Sequence, residues 1–160
     1  MFGFPSPILY VMISPELLTI KNLRSGRVIS AVPEVAISQS AKSEIIAIGA
    51  NARDVAASRP SRIVNPFGHP RSLVSDFTLA EQLLKYQVRQ AMEKSFLALA
   101  PTIIMHPLGD PAGGFTQVEL RAFREMAMGA GAAKVFLKLG KPLTDQEIVQ
   151  IQKNGPDFPD

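Results

Sequence analysis

The order of its patterned segments is what most constrains this chain. From Pro7 to Ile48 apolar residues come in runs of strand length, and from Thr78 onward helix-like and strand-like stretches alternate. Leu9 to Ile13 is a continuous apolar run, as in a buried strand. Pro15-Glu16 then turns the chain into Leu17 to Lys21, and Arg24-Ser25-Gly26-Arg27 is a second turn. Val28 to Ala31 and Glu34 to Ser38 read as one strand interrupted by Pro33, which suits an edge or a kink. Glu44 to Ile48 is a further short strand.

Asn51 to Ser58 reads as one short helix, with Ala52, Val55 and Ala56 on a common face. Pro60, Pro66 and Pro70 punctuate a long irregular stretch up to Ser72, of the kind that forms a small subdomain or a functional loop. Thr78-Leu79-Ala80-Glu81 has the pattern of a capping box, in which hydroxyl and carboxylate satisfy each other's backbone N–H. The helix it opens carries Leu83, Leu84, Val88, Ala91 and Met92 as a stripe and extends to Ser95 or Leu97. Thr102 to His106 is a β-branched run that reads as a buried strand. After the loop Gly109 to Gly114, Thr116-Gln117-Val118-Glu119 repeats the capping pattern and opens a helix to about Met128, stopped by Gly129 and Gly131. Lys134 to Leu139 is a last strand, Asp145 to Lys153 a last short helix, and NGPDFPD a disordered tail. A strand meander followed by helix, strand, helix, strand predicts an α/β protein, a mixed sheet with helices packed on it.

Composition excludes several chemistries. With 160 residues, 46 % of them hydrophobic, the chain suits one domain with a sizeable core. It has no cysteine, which removes disulfides, thiolate catalysis and Cys-based zinc sites, and which fits a cytoplasmic setting. The net charge of +3 is spread over scattered Lys and Arg, a solvated surface rather than a nucleic-acid footprint. No apolar stretch approaches the ~20 residues of a membrane span. The start, MFGFPSPILYVMIS, lacks the basic region of a signal peptide and reads as a frayed tail leading into a core strand. A weak membrane contact through Met1, Phe2 and Phe4 is the alternative for this segment.

Candidate sites are few. His69 and His106 are far apart, without a spaced carboxylate, and make a poor metal pair. Asp76 is placed to start a helix rather than to act as a base. Nothing resembles the nucleophile elbow of a Ser-His-Asp hydrolase. Gly109 to Gly114 precedes a helix N-terminus and in principle offers an anion site, but it lacks the Gly-Lys-Ser/Thr ending of a P-loop and reads as a flexible connection. The bend after the first strand is the sharper case. A phosphate-binding hairpin needs converging backbone N–H groups. Here Pro15 has none, and Glu16 repels an anion.

The segments GRVISAVPEVAIS, IIAIGANARDV, VSDFTLAEQLLKY and above all FTQVELRAFREMAMGAGAAKVFL resemble the N-terminal part of the MreB family of rod-shape-determining bacterial actins. The resemblance runs from about residue 9 to 139. It implies an actin-like fold, related to ribonuclease H and sugar kinases, in which two halves close on ATP. The matched part is the first half, residues 1–140, with a small insertion at about Ala41 to Arg71. Beyond Leu139 the family continues into a second half carrying the other phosphate loop and the adenosine pocket; this sequence continues for about twenty residues, as a short helix and tail.

Where the family's first phosphate loop reads Asp-Leu-Gly-Thr, this chain has Val11, Met12, Ile13 and Ser14. The metal-associated Asp is replaced by Val11 and the phosphate-approaching Gly by Ile13, leaving Ser14 as a vestige. A two-metal nuclease of the ribonuclease H type would lack its first carboxylate for the same reason. Glu119 falls on the family's water-positioning Glu, but DPAGGF intrudes just before it, and a role as capping partner of Thr116 is enough to explain it. Apolar surface is expected near Leu108, Phe115 and Leu139. The expectation is a truncated actin-like scaffold or binding protein with no cofactor, contacting a bacterial actin filament or itself. The alternatives are a composite enzyme, using ATP and Mg once another chain completes the cleft, and a degenerate gene product.

Overall fold

In the computed structural model, residues 6–68, 76–92, 99–109 and 111–158 are described. Five strands form the main sheet: β1 (Ile8–Ile13), β2 (Leu18–Asn22), β3 (Val28–Ala31), β7 (Thr102–Pro107) and β8 (Lys134–Leu137), in the order β3-β2-β1-β7-β8. β1 is central because it is apolar on both faces. It pairs antiparallel with β2, Val11 opposite Ile20, and parallel with β7, Val11 opposite Met105. A second sheet holds β4 (Val35–Ser38), β5 (Ile45–Ile48) and β6 (Ser61–Val64), in the order β5-β4-β6. Four α-helices lie among the described residues: α1 (Ala52–Ser58), α2 (Phe77–Ala91), α3 (Gln117–Gly129) and α4 (Asp145–Asn154).

Five sequence expectations need correction. The segments flanking Pro33 are two strands in two sheets, because Pro33 lies where the chain leaves one sheet for the other and so removes no ladder hydrogen bond. The Pro-punctuated stretch contains β6, whose four residues, Ser-Arg-Ile-Val, carry too little apolar pattern to announce a strand. Helix α2 is capped by Asp76, whose carboxylate accepts from the Leu79 N–H at 3.1 Å, so Thr78 sits inside the first turn and forms no cap. It ends at Ala91, where Met92 turns extended, and residues 93–97 of the expected extension lie outside the described residues. Strand β8 stops at Leu137 rather than Leu139. The capping box at Thr116 is present as expected, and Thr144 with Glu147 forms another at the start of α4.

Alternation along β1 splits the core into two layers. Leu9, Val11 and Ile13 face α2, α3 and the small sheet, among Leu83, Leu84, Phe123, Met126, Val35 and Phe67. Ile8 and Tyr10 face the opposite side with Ile104, where Leu143, Ile148 and Ile151 cover them. Helix α4 therefore closes the second face of the sheet. Phe158 packs edge-on against Phe136 beside it, so the tail is placed as far as that residue. Of the apolar side chains expected at the surface, Leu108 and Phe115 are half-buried, Phe115 lying edge-on to Phe123, and Leu139 is 43 % exposed. At the outer edge of β8, Arg124 donates to the Val135 carbonyl at 3.2 Å.

Candidate functional site

Open α/β sheets bind ligands beyond the carboxyl ends of their parallel strands. That edge is formed here by β1 and β7. Ile13 lies opposite Pro107, and the Leu108 N–H donates to the Ile13 carbonyl at 2.8 Å, so Ser14 and Gly109 leave the sheet side by side. Ile13 itself is fully buried, its side chain part of the core layer beneath α2 and α3.

The bend Ser14-Pro15-Glu16-Leu17 closes on itself. The Ser14 N–H donates to the Leu17 carbonyl at 3.0 Å, and the Leu17 N–H donates back to Ser14 Oγ at 3.1 Å. Ser14 Oγ also donates to the Leu17 carbonyl at 3.2 Å. Asn65 Nδ2 holds the Pro15 carbonyl at 2.8 Å, while Asn65 Oδ1 accepts from the Phe67 N–H at 2.9 Å. The exit of the small sheet thus pins the bend.

The connection from β7 to α3 is exposed. Gly114 donates its N–H to the Pro111 carbonyl at 2.8 Å, which turns that amide into the loop. Glu119 Oε2 accepts from the Thr116 N–H at 2.8 Å and from Thr116 Oγ1 at 3.1 Å. Ser14, Gly109 and Glu119 thus belong to one end of the molecule, but Ser14 and Glu119 are held by local hydrogen bonds. A groove of about 1710 Å³ lies elsewhere, between α3, β8 and α4, and includes none of the three.

His106 is a feature the sequence reading missed. It is fully buried within β7, with Nδ1 2.7 Å from the Tyr10 hydroxyl and Nε2 2.8 Å from the Gly140 carbonyl. Burial pushes its pKa below the ordinary histidine value, and burial pushes the Tyr10 phenol up. Both ring nitrogens are engaged, which leaves none for a metal. His69, the other histidine of the chain, lies outside the described residues. No group of three or more His, Cys, Asp or Glu among the described residues is placed to hold a metal.

The model of the MreB/Mbl protein family matches residues 18–142. The chain belongs to the MreB/Mbl family. The match begins at Leu18, so β1 and the bend precede it. This MreB-family chain is 32 % identical over 127 residues to the cell shape-determining protein MreB of Pasteurella multocida (strain Pm70), covering 79 % of this chain and 31 % of the relative. It spans about a third of the length of such relatives. Its fold is similar to that of MreB5 of Spiroplasma citri bound to ADP, with TM-score 0.63 and 18 % identity over 84 % of this chain and 38 % of that one. It is also similar to MamK in a double helical filament, with TM-score 0.60 and 13 % identity over 82 % of this chain and 40 % of that one. These likenesses establish a single-domain, actin-like α/β fold.

Proposed function

We propose that this MreB-family chain is a non-catalytic, cytoplasmic scaffold or binding component of a cell-shape cytoskeleton, with a phosphate loop that no longer holds ATP. One observation carries the reading. Of the four residues in the Ser14–Leu17 bend, two spend their amides inside the bend and Pro15 has none. That leaves the amide of Glu16, whose carboxylate opposes an anion. Converging N–H groups are what a phosphate needs, and a buried Ile13 in place of glycine keeps the backbone from approaching one. In this reading β5, α1 and β6 fall within the family's small insertion, about Ala41 to Arg71, and β5 and β6 pair with β4 just before it. Self-association or contact with a bacterial actin filament is supported by the filament of MamK, a relative in fold. No helix among the described residues is long and apolar enough to cross a membrane. The weak contact through Met1, Phe2 and Phe4 concerns residues outside those described.

Calorimetric titration with ATP and Mg²⁺ tests the proposal: no heat of binding is expected, and micromolar affinity would refute it. The composite alternative draws on the ADP-bound MreB5 relative and on Glu119 at the head of α3. There, ATP and Mg bind once a second chain completes the cleft. Phosphate release that appears on adding a bacterial actin, and that Glu119→Ala abolishes, would favour it. Equal background rates for both proteins would dispose of it.

A further inference from the structure

Tyr10 on β1, His106 on β7 and the turn between β8 and α4 form one buried hydrogen-bonded unit. The Gly140 carbonyl can only accept, so His106 Nε2, 2.8 Å away, carries a proton. In the neutral ring Nδ1 is then bare, and it accepts from the Tyr10 hydroxyl at 2.7 Å. The Tyr10 oxygen in turn accepts from the Leu143 N–H at 3.1 Å. Gly140 takes φ +81°, a conformation that favours glycine, and this sets the turn that presents its carbonyl to the ring. Every donor in the unit has an acceptor, and Tyr10 and His106 are 2 % and 0 % exposed.

We propose that this unit is an acid-released latch: neutral His106 clamps the α4 turn against the sheet, and protonation of His106 lets α4 swing away. A proton added at Nδ1 faces the Tyr10 hydroxyl donor to donor. The hydroxyl must then give up its acceptor in a dry site, which leaves a buried polar group unpaired. The new charge finds no counterion within the unit, since a phenol and a carbonyl occupy the two ring nitrogens. Lys138, just past the end of β8, opposes a positive ring, and Glu147 on α4 acts on Tyr10, favouring the neutral phenol. Besides the latch, α4 is held by a ten-residue helix's worth of contacts: Leu143, Ile148 and Ile151, plus Gln152 Nε2 donating to the Leu23 carbonyl at 2.6 Å. So small an element opens locally, ahead of the sheet.

The direction with pH follows from linkage. His106 resists protonation when latched and titrates near its ordinary value, about 6.5, when released. The latch is therefore at full strength above about pH 6.5 and weakens as pH falls below it, with opening favoured by at most about tenfold one unit lower.

Amide hydrogen exchange on the whole chain, at pH 7.5 and pH 5.5 and corrected for intrinsic exchange, tests this. Protection of residues 143–154 should fall at the lower pH, by up to about tenfold, while that of β2 and α3 stays level. His106→Gln should keep α4 equally protected at both pH values. Unchanged α4 protection in the wild type, a fall shared by β2, or the same fall in His106→Gln would overturn the proposal. If that variant does not fold, the wild-type ring decides: its NMR titration midpoint should coincide with the loss of α4 protection, and a ring still neutral after α4 opens would refute it.

Discussion

Glu119 and Tyr10 differ in how far away their partners are. Glu119 caps Thr116 three residues back, and that spacing is visible in any reading of the chain. Replacing it with Ala should cost about 1 kcal/mol in urea unfolding, the usual value of a lost cap. Tyr10 meets His106 across 96 positions, and no local pattern announces such a contact. A tyrosine in an apolar run reads as core, and a histidine at a strand end, without a spaced carboxylate, reads as no site at all. Only the parallel register of β1 and β7 brings them together. Tyr10→Phe leaves the Leu143 N–H and His106 Nδ1 without their partner, at a cost of about 1–3 kcal/mol. Urea denaturation at pH 7.5 measures it; a variant as stable as wild type would mean that this unit is not formed in solution.

Elements were legible where both ends carried a signal. Helix α3 has a cap at Thr116 and glycine past its end, so its bounds follow from the residues. Helix α2 offered two overlapping starts, and Asp76 won because an aspartate at the cap position accepts directly from the Leu79 N–H. Asp76→Ala should thus destabilise by about 1 kcal/mol, and Thr78→Ala by less than half of that. The reverse ranking in thermal melts would restore Thr78 as the cap. Strand β6 escaped because it exists only through pairing with β4, Val64 opposite Val35. Helix α4 was expected, but the face it covers was not. Ile151 is among the buried residues it contributes, so Ile151→Ala should cost about 2–5 kcal/mol. A loss below 1 kcal/mol would argue that α4 is not docked.

For the whole molecule, family and architecture were both readable, because the meander and the alternating helices and strands leave few topologies and one long segment is specific. The partition of the core into two layers was hidden, since it depends on which side of β1 each residue faces. It has a measurable consequence. Tyr10 lies in the α4 layer while Tyr86 is 40 % exposed, and the chain has no tryptophan, so near-ultraviolet dichroism of tyrosine reports chiefly on that layer. At pH 7.5 the near- and far-ultraviolet signals should be lost together in urea, as in a two-state transition. At pH 5.5 the tyrosine signal should disappear first. Coincident curves at both pH values would mean that the two layers never uncouple.

The guanidinium that Arg124 lays over the rim of β8 bears on whether another strand could join there. An uncovered rim invites a neighbour's backbone to join on, but this one is four residues long, flanked by Lys134 and Lys138, with a carbonyl already spoken for. Ribbon-to-ribbon zippering is discouraged along that rim, so a second copy of the chain would have to seat itself on some other face.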